Sequence, residues 1–275
     1  MKILKILSLA LVLFSCQEEV FLPLGEHEPI PVIEAIWTDV GVVNQVKVTQ
    51  SKGFYDLGEN PVITNAEVFV RNMRTGNRVN FRYSSTVGKY VPIVNFAGSP
   101  GESYELQVKI GADIYRSEGM MLEPPKLDSI VYQYREETVF RDAGYYLTVF
   151  GDIPFETDNN YRMRIVRNDT LLNGRNDYLL FDETFGTSIL NRGFELRNFA
   201  FQKNDKVRLE LFRLNRDAYD YLSQLVSLLF NDGGLFSPPP QNPTSNIRHV
   251  NGDKPVLGYF KVSPMLFETI TIAPD

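Results

Sequence analysis

The sequence predicts a mainly β protein with two β-sandwich domains, immunoglobulin-like or fibronectin-III-like, of which the second carries one amphipathic helix. Apolar and polar residues alternate with a period of two in several segments, which is typical of strands with one buried face. Clear examples are residues 46–49, 104–110, 161–165 and 207–211. Turn-forming Gly, Pro, Asn and Asp lie between such segments. Many short strands joined by turns of this kind indicate a sandwich architecture.

The first fifteen residues predict a lipoprotein signal peptide. Lys2 and Lys5 precede an apolar run over residues 6–14. This run is too short to span a bilayer as a helix. Residues 13–16, Leu-Phe-Ser-Cys, resemble a bacterial lipobox, in which the cysteine sulfur is acylated and the cysteine becomes the first mature residue. We therefore expect lipidation at Cys16. The alternative is an ordinary cleaved signal peptide with an incidental cysteine.

Residues 16–27 are expected to form an acylated tether. The polar, acidic run Gln17, Glu18 and Glu19 directly follows the cysteine, and such a run is similar to the surface-export signal of Bacteroidetes lipoproteins. A solvated tether with chance acidic residues is the alternative. The predicted location is the outer membrane, lipid-anchored and facing the cell surface.

A domain boundary is predicted at residues 122–127, because two consecutive prolines remove backbone donors and interrupt a strand ladder. It divides the mature chain into an N-terminal domain, residues 28–122, and a C-terminal domain, residues 127–275. In the second domain, residues 216–231 are predicted to form the helix. An apolar stripe at helical spacing carries that prediction, and it consists of Ala218, Leu222, Leu225 and Leu229.

Composition and charge exclude several classes of function. The formal net charge is −6, and removal of the signal peptide takes away two lysines, so nucleic acid is not an expected partner. The chain has one cysteine, so with Cys16 acylated no disulfide, thiol nucleophile or thiolate metal site remains. The two histidines form no metalloprotease motif, and no nucleophile elbow or phosphate loop is present. We expect no enzyme activity, no cofactor and no metal. A carboxylate-dependent hydrolase is a minor alternative.

Two short triplets match the O-glycosylation acceptor pattern of exported Bacteroidetes proteins, in which Asp precedes Ser or Thr and an apolar residue follows. They centre on Ser129 and Thr170.

The loop over residues 235–255 is the predicted partner or ligand surface. The loop contains five prolines and shows little apolar periodicity, so no regular structure is expected in it. A structureless segment of this length is unusual in a compact domain unless it is functional or disordered. Its candidate contact residues are Gln241, Asn246, Arg248 and His249. For Asn246, internal bracing of the loop is the alternative to partner recognition, because its amide donates and accepts hydrogen bonds.

Two stretches carry a family resemblance. The first is residues 33–106, with Asn-Ala-Glu-Val-Phe-Val at 65–70. The second is Pro-Thr-Ser-Asn-Ile at 243–247 followed by Leu-Gly-Tyr-Phe at 257–260. Together with the lipobox, they are similar to Bacteroidetes outer-membrane lipoproteins classed as domain of unknown function 4249, commonly encoded beside TonB-dependent receptors. A departure is the polar run at 248–255, where the resemblance implies a shorter glycine-rich link.

The resemblance implies an accessory subunit of a TonB-dependent nutrient-uptake receptor in the outer membrane, acting by ligand capture or by capping the barrel. It implies no catalytic residues. The nutrient ligand stays unknown, and the membrane is contacted through the lipid anchor. A free-standing surface adhesin or glycan-binding module is the alternative function.

Overall fold

The structure, a computed structural model, describes residues 28–53, 56–231 and 239–273. It confirms the predicted mainly β fold, because the regular structure of these ranges consists of seventeen strands, one α-helix, α1 (Arg216–Leu229), and four three-residue 3₁₀ helices. The strands are β1 (Pro31–Trp37), β2 (Gln45–Gln50), β3 (Glu67–Asn72), β4 (Arg78–Ser84), β5 (Lys89–Pro92), β6 (Ser103–Ile110), β7 (Asp113–Met120), β8 (Lys126–Arg135), β9 (Gly144–Asp152), β10 (Tyr161–Arg167), β11 (Thr170–Leu171), β12 (Leu179–Phe181), β13 (Phe194–Glu195), β14 (Lys206–Arg213), β15 (Arg248–His249), β16 (Leu257–Val262) and β17 (Met265–Thr271).

The first unit is a single nine-stranded sheet in the order β15-β7-β6-β3-β4-β5-β2-β1-β16. Its alternating apolar side chains, including Ile33, Val48, Leu106 and Phe260, all belong to one buried cluster around Trp37. A sheet whose strands share one enclosed core must curl around it. The two ends of the curled sheet approach each other, since β7 contacts β16.

Residues 245–247 close the seam between those two ends. The Asn246 side-chain amide donates to the Phe260 carbonyl oxygen over 3.0 Å and accepts from the Phe260 N–H over 2.8 Å. On the opposite side, the Ser117 hydroxyl of β7 donates to the Asn246 carbonyl oxygen over 2.7 Å. Asn246 therefore occupies the place of a neighbouring strand and satisfies backbone groups on the open edge of β16.

The other edge of β16 pairs in parallel with β1. Gly258 of β16 lies opposite Ile33 with a φ of +104°. A Cβ atom at Gly258 would collide with the Ile33 carbonyl oxygen, so this close approach requires glycine. A strand more than two hundred residues distant in the chain thus completes the first sheet.

The second unit is a sandwich-like pair of sheets. One has the strand order β11-β10-β14-β17, with β12 also paired to β10, and the other has the order β13-β9-β8. Their facing side chains form a second buried cluster that includes Leu147, Tyr161, Ile165, Leu209 and Phe201. The outward face of the larger sheet packs against α1 and β16 through a third cluster, in which Phe212, Leu222 and Tyr259 meet.

The predicted helix is confirmed, but its buried face is partly different from the predicted stripe. Ala218 and Leu222 are buried and Leu225 packs beside them, as predicted, whereas Leu229 is 40% exposed. Tyr219 and Tyr221, and not Leu229, complete the buried face. The helix ends at Leu229, and the buried residues all lie in its first two turns. In the described ranges, no helix is long and apolar enough to cross a bilayer.

The domain boundary predicted at residues 122–127 stays a prediction. Strands from both sides of this boundary pair in one sheet. β15 and β16, from the predicted C-terminal domain, belong to the sheet built by the N-terminal strands. The linker itself is held in place, because the buried Arg213 guanidinium donates to the carbonyl oxygens of Glu123, Thr157 and Asp158 over 2.9–3.0 Å. The same guanidinium lies 3.6 Å from the centre of the Phe155 ring.

Candidate functional site

The structure separates the four predicted contact residues of the 235–255 loop. Asn246 braces β16, which is the structural alternative stated for it. Gln241 is exposed and lies beside the C-terminal half of α1, together with Gln224 and Phe230. Arg248 and His249 lie on β15 at the outer edge of the first sheet. Within the described ranges the four residues do not line one common cleft, and their role in binding stays a prediction.

His249 is held by its surroundings. Its side chain is 3% exposed and packs on the Tyr115 ring with 5.0 Å between ring centres. Its Nδ1 accepts from the Lys254 N–H over 3.1 Å. Its Nε2 lies 3.3 Å from Asp113 Oδ1, although the two atoms are not aligned as a hydrogen bond. This environment is that of a structural histidine, whereas Arg248 is exposed.

The two candidate glycosylation residues are both exposed on the second unit. Ser129 follows an irregularity in the β8–β9 ladder, in which Asp128 has no opposite residue. Thr170 directly follows the two-residue turn of the β10–β11 hairpin. Both hydroxyls are accessible, and their modification stays a prediction. The lipidation and export candidates, Cys16, Gln17, Glu18 and Glu19, lie outside the described residues.

The candidate site that the structure itself presents is an open cleft of about 870 Å³. We name it the tip cleft, because the turn between β8 and β9 forms one wall. The opposite wall comes from the segment before β12, the segment after β13 and the end of α1. Its lining includes three arginines, Arg141, Arg175 and Arg197, and two carboxylates, Glu137 and Asp142. The volume lies in the range of small-molecule sites.

The hairpin tip is a two-residue turn with unusual residues. Thr138 and Arg141 close it, with the Thr138 N–H donating to the Arg141 carbonyl oxygen over 2.8 Å and the reverse bond at 3.3 Å. Val139 and Phe140, the two residues between them, are 91% and 98% exposed. Gly, Asn and Asp dominate such positions. Neither turn formation nor the core accounts for these two apolar side chains.

The β10–β11 hairpin provides a direct comparison within the same protein. Its two-residue turn consists of Asn168 and Asp169, with φ values of 50° and 63°. These residues suit the left-handed backbone of a tight hairpin. The β8–β9 turn instead places a β-branched and an aromatic side chain in water, which costs hydration free energy unless something covers them.

Arginines and aromatic rings alternate around the tip cleft. The Arg175 guanidinium lies 4.4 Å from the centre of the Phe230 ring, and that of Arg141 lies 5.7 Å from the centre of the Tyr146 ring. The Tyr146 hydroxyl donates to the Asp142 carbonyl oxygen over 2.8 Å, and burial raises the pKa of this phenol. Fixed guanidinium groups beside ring faces can bind acidic or planar polar groups.

No sequence pattern predicted the tip cleft. An adjacent pair of apolar residues is normally assigned to the core, so the sequence did not indicate that Val139 and Phe140 lie on the surface. One feature of the sequence could have indicated it: residues 137–141, which connect two strands, contain no Gly, Asn or Pro. Among the described residues, no group of three or more His, Cys, Asp or Glu is arranged to hold a metal ion.

The fold and cleft define a class, namely a multi-sheet β protein with an open, arginine-rich and aromatic surface cleft. The chain belongs to the family described as "Domain of unknown function (DUF4249)", whose model matches residues 17–265. This confirms the family assignment made from residues 33–106, 243–247 and 257–260. The comparison with curated proteins gives no match.

Proposed function

We propose that this protein is an outer-membrane lipoprotein, anchored through Cys16 and facing the cell surface. In this proposal it serves as an accessory subunit of a TonB-dependent nutrient-uptake receptor. The lipobox-like residues 13–16 and the acidic run at 17–19 support the anchor and its sidedness. Membership in the family supports the accessory role, through the receptor association that the resemblance implies.

The observation that carries the accessory role is the exposed pair Val139 and Phe140 at the β8–β9 tip. Singly scattered apolar side chains are normal on a surface. Two adjacent ones at the end of a hydrogen-bonded hairpin, against turn preference, form a small apolar projection. Such a projection suits a pocket on a partner protein, with aromatic side chains as frequent anchors at interface centres. The receptor is the partner we propose.

A second candidate function is that of a free-standing adhesin or glycan-binding module. The arrangement of Arg175 on Phe230 and Arg141 on Tyr146 favours it, because sugars stack on aromatic rings and acidic sugars pair with guanidinium groups. In this alternative the tip cleft binds the ligand without a barrel partner. The two functions differ in whether a stoichiometric membrane partner is present.

The test is a pull-down from mild detergent through a C-terminal tag, with the partner identified by mass spectrometry. We expect a TonB-dependent receptor to co-purify with the wild-type chain. Val139→Asp combined with Phe140→Asp should abolish this co-purification, because two carboxylates in an apolar pocket have no partner.

Leu57→Asp is the matched control, since Leu57 is a 97% exposed apolar residue on the first unit. This variant should retain the receptor. If the tip variant still binds the receptor, the interface does not include the β8–β9 hairpin. If no barrel protein co-purifies with the wild type, the accessory role is wrong, and glycan-array binding by the purified chain would then support the alternative.

A further inference from the structure

A second cavity, of about 210 Å³, lies at the junction of the two units. We name it the junction cavity. Outward-facing residues of β1, β2, β5 and β16 form one side, and residues of β10 and α1 form the other. Tyr178 lines both this cavity and the tip cleft.

Positive charge is concentrated at the junction cavity. Lys47, Lys89, Arg162 and Arg164 line it, against a single carboxylate, Glu34. The whole chain is acidic, with a formal net charge of −6. A cleft lined by one sign of charge between low-dielectric walls focuses the field and raises the local concentration of counter-ions.

Most of this charge has no carboxylate partner within the described part of the chain. Arg164 is the exception, with its Nε donating to Glu210 Oε2 over 2.9 Å, but Arg208 also contacts Glu210 at 3.1 Å. Lys89 donates to the neutral amide of Gln45 over 3.2 Å. Glu210 carries one negative charge and is shared by two arginines, so it does not neutralise the other cations of the cavity.

Arg162 is a partly buried cation of the cavity. Its guanidinium lies 5.2 Å from the centre of the Tyr178 ring and interacts with the Tyr259 phenol. Burial lowers the pKa of Arg162, and the nearby Tyr259 opposes that effect. A phenol oxygen can accept a hydrogen bond from a guanidinium group, and a ring face can attract it electrostatically, but neither neutralises its charge. The planar fork of Arg162 therefore keeps donors available for an acidic group.

A further cation, Lys261, is buried next to the strand residues that line the junction cavity. Lys261 follows Tyr259 by two residues on the same face of β16, and it is only 1% exposed. Its Nζ has no hydrogen-bond partner among the described residues and lies 3.5 Å from the centre of the Phe212 ring. Ile36, its neighbour on β1, lines the junction cavity. A buried, unpaired ammonium group destabilises a fold, so stability does not explain it.

We propose that the junction cavity is a binding site for a small oxyanion, a phosphate or carboxylate group held by Arg162 and flanked by Lys47 and Lys89. The Arg162 fork matches the two oxygens of such a group, and the two lysines act as point charges at the rim. The volume of about 210 Å³ accommodates a small anionic group. The site lies apart from the Val139–Phe140 tip that the proposed receptor contact uses, so its test does not depend on the receptor.

The test is calorimetric titration of the full chain in mild detergent with inorganic phosphate and, separately, with acetate, at constant ionic strength set by chloride. We expect one or both anions to bind and to raise the melting temperature, because a ligand bound only by the folded state stabilises it. Binding of phosphate alone would identify phosphate as the matching group, and binding of acetate alone would identify carboxylate. Heat from neither anion at concentrations up to about 20 mM, well above a 1 mM dissociation constant, would overturn the proposal.

Variants separate the site from general charge effects. Lys47→Gln combined with Lys89→Gln should weaken binding at least about tenfold, and Arg162→Lys should weaken it while keeping the charge. Lys109→Gln removes one cation from the same sheet outside the cavity, where Lys109 pairs with Glu67 at 3.1 Å. It should change affinity by less than about twofold. Unchanged binding in the Lys47/Lys89 double variant would also overturn the proposal, and a circular dichroism spectrum confirms that each variant is folded.

Discussion

Replacement of Lys261 by methionine should stabilise the protein. The ammonium group is buried without a hydrogen-bond partner in the part of the chain that the structure describes, and the Phe212 ring, 3.5 Å away, is its compensating contact. Desolvation of a charge costs several kcal/mol, and a desolvated cation–π contact returns about 2 kcal/mol. Methionine keeps the apolar stem and a sulfur contact with the ring. We expect a net gain of about 2 kcal/mol at pH 7, which raises the melting temperature by roughly 4–8 °C.

The gain should depend on pH with a defined sign. Burial lowers the pKa of Lys261 well below its ordinary value, and the nearby charges of Arg164 and Arg162 lower it further. The unfolded chain holds that proton up to about pH 10.4. Between the two pKa values the unfolded state binds more protons, so wild-type stability rises with pH. The advantage of Lys261→Met is therefore full below the folded-state pKa and shrinks as pH approaches the unfolded value.

Urea unfolding followed by circular dichroism at pH 7 and pH 10 measures both effects. Lys109→Met is the matched control, since Lys109 is partly exposed and forms a surface ion pair with Glu67. Such pairs contribute about 0–1 kcal/mol, so the control should change stability little at either pH. A Lys261→Met variant less stable than wild type at pH 7 would refute the reasoning. An equal gain at pH 7 and pH 10 would also refute it.

Three further predictions follow from the seam, the helix and the anchor. Asn246→Ala should lower the free energy of unfolding by about 2 kcal/mol in urea titrations, because both backbone groups of Phe260 lose their partner; unchanged stability would contradict the bracing role. Leu225→Asp should destabilise by several kcal/mol, whereas Leu229→Asp, on the exposed end of the stripe, should stay within about 0.5 kcal/mol; equal effects would mean that α1 is rotated. Cys16→Ala should release the protein from membrane pellets after a high-salt wash, because lipidation provides the proposed attachment; retention in the pellet would disprove the anchor.

Local patterns identified the strands and the helix because each element buries one face. The alternation over residues 161–165 and 207–211 gave β10 and β14, and their inward residues do form the second core cluster. Periodicity reports which face is buried and not which strand lies beside it. The parallel pairing of β1 with β16 depends on Gly258, on the seam formed by Asn246, and on the course of the whole chain between them. No window of ten or twenty residues contains that information.

The candidate sites were harder to predict, for a related reason. The composition of the polar loop over residues 235–255 predicted a functional surface there. In the structure, Asn246 and His249 instead make internal hydrogen bonds. The tip cleft and the junction cavity are assembled from distant segments, and their arginines look like ordinary outward-facing strand or turn residues. Arg162 follows the same alternation as any solvent-facing residue of β10. Only the packing of a second sheet over that face makes it a partly buried cation.

The way the two units are joined explains how such a cavity can keep a fixed shape. Two domains linked by a single segment move relative to each other by default. Here the chain crosses between the units three times, before β8, between α1 and β15, and between β16 and β17, and hydrogen bonds hold the first and the last of these crossings. Arg213 holds Glu123 at the first crossing. At the last, the Ser263 N–H donates to the Trp37 carbonyl oxygen over 3.0 Å, and the Met265 N–H donates to Asp39 Oδ1 over 2.8 Å. A junction held at two crossings can maintain unneutralised cations at set distances, and a bound anion adds to its stability by neutralising them.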